Sequence, residues 1–180
     1  MNNKWTAFLL TGLLVFLVTI STAQGGQRGW TSPAGNSYMA HLYLFEKNPG
    51  NWQIVKGGAW GKMTYRPWGP TFHFVFNGHG LQRGVAYTLI YYPDPWPGAG
   101  LIGLGWGISD QFGDLHIAGV ADTGDLPKAR DKNYPYGAKI WLVLSTDVDY
   151  MSSTPHMIDW NPTDYLFEHN FIKYVKSTGR

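Results

Sequence analysis

Three groups of side chains have types and spacings that could do chemistry. The first is "YYPDPWPG", residues 91–98, where an aspartate and a tryptophan stand among three prolines. Pro93, Pro95 and Pro97 each fix φ and remove a backbone donor, so this stretch is a stiff, exposed connection and not the middle of a sheet. Trp96 held on such a connection, with Tyr92 and Asp94 beside it, forms a rigid aromatic platform for stacking on a sugar ring or docking a peptide. The competing expectation is that Trp96 folds back and seals one end of the core.

The second group is acidic. "DTGD" (Asp122, Asp125) and "DVD" (Asp147, Asp149) offer hard oxygen ligands on loops, a set suited to weakly held calcium. Asx-turn roles explain the same residues without a metal. The third group is dispersed. His73, His79 and His116 lack the short spacings of a transition-metal site. Ser109, Ser145 and Ser152 lie in no nucleophile elbow. Glu46 and Glu168 are the only glutamates, and a carboxylate pair does glycosidic chemistry only if the fold brings the two together. Both are expected to be solvated or capping groups, and no catalytic residue is assigned.

These groups must be positioned by short strands. "AHLYLF" (40–45), "AWGKMTY" (59–65), "TFHFVF" (71–76), "AYTLIYY" (86–92), "LIGLGWG" (101–107), "LHIAGV" (115–120) and "KIWLVLS" (139–145) carry β-type alternation. Phe72, Phe74 and Phe76 share one face of their strand, as do Tyr87, Leu89 and Tyr91. Tyr91 and Tyr92 leave opposite faces, so one is expected inside and the other on the surface. In 101–107 the pattern puts Ile102, Leu104 and Trp106 on one side. Pro162 could open a short helix, and a final strand is expected over 165–169. Turn chemistry in "NGHGLQRG" and "SDQFGD" supplies the connections. The expected fold is all-β, an antiparallel β-sandwich of about eight short strands, immunoglobulin-like or prealbumin-like. The irregular stretch 122–137 is either functional or an ordered crossover between sheets.

The N-terminus reads as an export signal over 1–23. Lys4 precedes an apolar run from Phe8 to Ile20, and Ser21 and Ala23 are small residues ahead of a cleavage step. Residues 24–37 read as a flexible lead-in, and 38–180 as one domain. No other stretch is apolar enough to span a bilayer. With 14 Lys+Arg against 12 Asp+Glu, the chain lacks the basic surplus of a nucleic-acid binder. It has no cysteine, which excludes disulfides and thiolate chemistry, while nine Trp, eleven Tyr and nine Phe make it rich in rings.

At "FNGHGLQRGVAYTLIYYPDPWPG", "TGDLP" and "GAKIWLVLS" the chain resembles a family of exported, uncharacterised β-sandwich domains of archaea and some bacteria, over most of residues 45–170. The resemblance implies an exported single domain and brings no activity or site residue with it. The turn pattern around "SDQFGDLHIAG" is also similar to that of immunoglobulin-like and prealbumin-like sandwiches. The sequence thus leads to a secreted or envelope-associated, non-enzymatic module that binds a carbohydrate, another ligand or an envelope protein. A structural component of the envelope is the alternative, and a surface-polysaccharide hydrolase the distant one.

Overall fold

The computed structural model describes residues 38–177, so the expected leader (1–23) and lead-in (24–37) lie outside the described residues. Every stretch expected as a strand becomes one: β1 (Ala40–Phe45), β2 (Trp60–Tyr65), β4 (Phe72–His79), β5 (Ala86–Tyr92), β6 (Ile102–Ile108), β7 (Leu115–Ala121), β8 (Lys139–Leu144) and β11 (Leu166–Glu168). These eight form one sheet in the order β6-β5-β8-β11-β1-β2-β4-β7, with every pairing antiparallel. Two-residue strands make two further small sheets: β3 (Trp68–Gly69) with β12 (Val175–Lys176), and β9 (Val148–Asp149) with β10 (His156–Met157). Pro162 opens a single 3₁₀ turn, Pro162–Asp164, just before β11. Among the described residues no helix is long and apolar enough to cross a membrane.

The sheet curls around a core to which all eight of its strands contribute. Leu42, Met63, Phe74, Leu89, Leu104, Ile117, Leu142 and Leu166, one from each strand, belong to a single buried cluster. β4 shows the cause, because its burial alternates strictly and Phe72, Phe74 and Phe76 all point inward. Each such ring contributes roughly 1.5–3 kcal/mol by leaving water. The terminal strands β6 and β7 approach closely where glycines leave room. A Cβ on Gly119 would lie 3.3 Å from the Leu104 carbonyl oxygen, and one on Gly105 would lie 2.8 Å from Ile117. The result is an all-β antiparallel fold, sandwich-like and close to a closed barrel.

Two face assignments are corrected by the structure. In β6 the pairing with β5 shifts register, with Leu89 opposite Gly105 and Ile90 opposite Gly103. This β-bulge leaves Leu104 as the extra residue and turns the following side chains over. Ile102 and Leu104 pack inward, but Trp106 turns out to solvent at 68% exposure. The second correction concerns β5. Tyr91 and Tyr92 do leave opposite faces, yet both are buried. The outer face of β5, β8 and β11 is covered by Leu101 and by the 145–165 segment, giving a second cluster that includes Ile90, Tyr92, Val143, Val148, Met157 and Tyr165. A strand covered on both sides reads as a continuous apolar run, as "TLIYY" and "IWLV" do.

Candidate functional site

The outer face of β5, β8 and β11 carries the floor of an aromatic cleft. Cross-strand pairing sets Trp141 opposite both Ile90 and Phe167, and Lys139 opposite Tyr92. Tyr92 stacks on Trp141 with ring centroids 3.8 Å apart and planes 13° from parallel, while Phe167 meets Trp141 edge-on at 5.1 Å. Three further tryptophans, from three separate loops, rise around this floor. Trp96 meets Trp160 edge-on at 5.6 Å, and Trp52 meets Phe167 edge-on at 5.2 Å. These six rings, with Lys47, Lys139, Asp94 and Glu168, line a cleft of about 440 Å³.

Each wall tryptophan is held by its own local device. Trp52 closes a turn in which its N–H donates to the Asn48 carbonyl at 2.7 Å, and its φ is +59°. A left-handed conformation at a bulky residue costs roughly 1–2 kcal/mol and persists where its surroundings fix it. Trp96 rides on a tight turn that is tied to the 145–165 segment. The Gly98 N–H donates to the Pro95 carbonyl and the Met157 N–H to the Pro97 carbonyl, both at 2.8 Å. Gly98 has φ +73°, and a Cβ there would overlap the Tyr92 ring at 2.4 Å, so only glycine lets the loop close down on that ring. Trp160 follows Asp159 in a segment anchored by buried Asp147. That carboxylate accepts from the Tyr165 hydroxyl and, at 2.9 Å, from Asn161 Nδ2.

A second buried carboxylate fixes the aromatic loop from below. Asp131 accepts from the Tyr91 hydroxyl at 2.7 Å, from the Asn133 N–H at 2.9 Å and from the Asp94 N–H at 3.3 Å. Burial, together with this carboxylate, pushes the Tyr91 hydroxyl well above its ordinary pKa. Asn133 Nδ2 in turn donates to Asp94 at 2.8 Å. The irregular stretch 122–137 therefore serves the site, because its Asp131 and Asn133 hold the loop that carries Trp96.

The charged lining is nearly compensated. Lys139 Nζ pairs with Asp94 Oδ2 at 2.5 Å, the two side chains being 20% and 25% exposed. The same ammonium lies 6.0 Å from the Tyr92 ring centre and 5.7 Å from that of Trp141, within cation–π range. Burial, with Asp94 nearby, pushes the Tyr92 hydroxyl up to about 12. Lys47 Nζ donates to the Glu168 carbonyl at 2.9 Å. The Glu168 side chain is buried, and loss of hydration raises its carboxyl to about 7 against the smaller opposing pull of Lys47 and Lys139. The Trp141 indole lies near enough to favour the charged form, yet neither Trp141 Nε1 nor Glu168 Oε2 completes a hydrogen bond.

Tyr92, Asp94 and Trp96, singled out from sequence, do converge on one cleft. Trp96 is 49% exposed and stands on its wall, so it does not seal the core. The four aspartates considered for calcium all have protein partners. Lys176 reaches Asp122 through Nζ at 2.6 Å and Asp125 through its backbone N–H at 2.7 Å. That ammonium holds the Asp122 carboxyl below the usual range. Asp147 anchors Tyr165 and Asn161, and Asp149 accepts from the Met151 and Ser152 amides as an Asx-type turn does. Among the described residues, no three His, Cys, Asp or Glu side chains gather where a metal would sit. The imidazoles of His73, His79 and His116 bond separately to Thr71, Asp114 and Asn77.

Trp52, Trp141, Trp160, Lys139 and Lys47 carry no local pattern that marks them as site residues. Glu168, expected to be solvated or capping, is instead buried at the cleft. Glu46 accepts from the Ala59 N–H at 2.9 Å, just ahead of β2. A separate cavity of about 560 Å³ beside Trp106 and Tyr150 has no charged lining, and its Thr88 and Ser145 hydroxyls bond to each other at 2.8 Å. It offers a ligand little to orient on. Searches against family models, curated proteins and solved structures find no match for this chain.

Proposed function

We propose that this chain is an exported, non-enzymatic β-sandwich module that binds a ligand or partner at or near the cell surface, the occupant lying in the aromatic cleft. The observation that carries this reading is the convergence of Trp52, Trp96 and Trp160 from three loops. At 48%, 49% and 38% exposure they keep wide areas of ring open to solvent. A core has no need of such rings, whereas a binding surface uses them as anchors of large area and low conformational entropy. The prolines around Trp96 and the Asp131 network reduce what an occupant must order on arrival. Export is inferred from the N-terminal signal pattern.

The test is tryptophan fluorescence titrated with soluble cell-surface polysaccharides and with unstructured peptides. Saturable quenching is expected from one class, weakened about 30-fold in Trp96→Ala, a loss typical of an anchor residue. Binding that ignores Trp96→Ala and Trp160→Ala alike overturns the assignment of the cleft. One observation favours a second reading, that of a polysaccharide hydrolase. Glu168, its carboxyl raised to about 7, lines the same cleft as Asp94, and glycosidic cleavage uses two carboxyl groups of unequal acidity in one cleft. Release of reducing ends, abolished in Glu168→Gln, decides for that reading.

A further inference from the structure

The walls of the cleft restrict what can occupy it. β5, β8 and β11 are all interior strands of the sheet, each hydrogen-bonded on both sides. The floor therefore offers no free edge to which an extended peptide could add as a strand. Two lysines face two carboxyl groups, so the lining lacks the cationic surplus needed to hold a phosphate backbone. A wholly apolar occupant such as a lipid chain would strip water from the Asp94–Lys139 pair and give it nothing in return. The remaining occupant has flat apolar faces for the rings and a polar edge that both donates and accepts.

We propose that the occupant is a glycan, and that the Asp94–Lys139 pair reads adjacent hydroxyls on one of its rings. This inference rests on the binding reading of the same cleft. A pyranose ring presents C–H bonds on its face and hydroxyls around its rim. The face stacks on an indole, and edge-on packing of Trp96 against Trp160 covers less ring surface than stacking does. At the rim, one hydroxyl donates to the Asp94 carboxylate and its neighbour accepts from the Lys139 ammonium. Both groups are accessible, at 20% and 25% exposure, and their 2.5 Å separation places donor and acceptor side by side. The geometry is held in advance. Asn133 also donates to Asp94, and Lys139 sits over the Tyr92 and Trp141 rings. Hydroxyl-reading charged groups beside a stacking ring supply orientation as well as affinity.

The experiment uses the mature chain and hexasaccharides of glucose, xylose, mannose and N-acetylglucosamine, with calorimetry and tryptophan fluorescence as readouts. At least one is expected to bind with one-to-one stoichiometry. Lys139→Gln and Asp94→Asn should each weaken it tenfold or more, and Trp96→Ala about 30-fold. Near-ultraviolet circular dichroism, to which the Tyr92–Trp141 stack contributes, checks that Lys139→Gln and Asp94→Asn keep the floor intact. Lys139→Gln carries the test if Asp94→Asn disturbs its loop. If all four sugars fail while an unstructured peptide binds and depends on Trp96, the glycan assignment falls and the binding reading stands. If a sugar binds but Lys139→Gln and Asp94→Asn both leave its affinity unchanged, the role given to the pair is wrong. If neither class binds in a way that needs the cleft tryptophans, both readings fall.

Discussion

Glu168 gives the sharpest physical prediction, because an acid buried without a full set of partners makes stability depend on pH in an unusual direction. Burial raises its carboxyl from 4.5 to about 7 in the folded chain. Between those values the folded protein keeps a proton that the unfolded chain has released, so stability falls as pH rises. Below about pH 4.5 both states are protonated and the residue contributes no penalty. Above about pH 7 both are ionised and the full net cost is present, that of burying the charge less the pull of Lys47 and Lys139. Each tenfold change in an ionisation constant corresponds to ~1.4 kcal/mol, which makes that cost about 3 kcal/mol. Glu168→Gln replaces the acid with a neutral isostere and removes the dependence. Urea unfolding, followed by far-ultraviolet circular dichroism at fixed ionic strength from pH 4.5 to 8, measures it. The stability of the glutamine variant minus that of the wild type should grow by about 3 kcal/mol from the acid end to the alkaline end. Contributions common to both chains cancel in that difference. A difference that stays flat, or that shrinks as pH rises, would refute the account. It would mean that the carboxylate ionises in place, matched by Lys47, Lys139 and Trp141.

Other consequences follow from burial and from the loop supports. Trp96→Ala should change unfolding free energy by less than about 1 kcal/mol, and the Trp96 contribution, taken as wild type minus Trp96→Phe, should be quenched by acrylamide. Phe74→Ala should cost about 3–5 kcal/mol in urea unfolding and Thr71→Ala under about 1, since Phe74 lies in the core and Thr71 bonds only at the surface. Trp52→Asn should leave stability within about 1 kcal/mol, because asparagine tolerates the left-handed backbone better while the ring contact is lost, yet it should reduce binding in the cleft. Asp131→Ala should cost about 3 kcal/mol or more by leaving the Tyr91 hydroxyl and loop amides without their acceptor, and should raise acrylamide access to Trp96.

The strands were legible because alternation is a local property. β1 and β5 begin and end where their sequence patterns do, and the other six main strands differ by a few residues at their ends. Local pattern fails where a non-local contact resets it. The bulge in β6 depends on how β5 pairs with it, and nothing within "LIGLGWG" marks Leu104 as the extra residue. Double burial left a readable sign that alternation masks. "TLIYY" and "IWLV" have no polar face beyond a single threonine, and an outer surface covered by other chain is the physical reason.

The cleft was half legible for a related cause. Proline chemistry marked the 93–97 loop as a presented one, and that inference needs no partner residues. Trp52 and Trp160 carry no such mark. They join Trp96 only because the sheet order sets β5, β8, β11 and β1 side by side, which brings chain positions more than a hundred residues apart to one surface. Glu168 shows the same limit from the side of charge. A lone glutamate at a strand end is ordinarily solvated. Here β11 lies between β8 and β1, and the Trp52 turn and the Lys47 side chain cover its end. The carboxyl is thus buried by neighbours that its own segment does not specify. Its altered acidity and the exposure of the tryptophans have one origin. Ring-bearing loops wall the outer face of β5, β8 and β11, dry enough at the floor to hold a proton and open enough at the rim to admit a ligand.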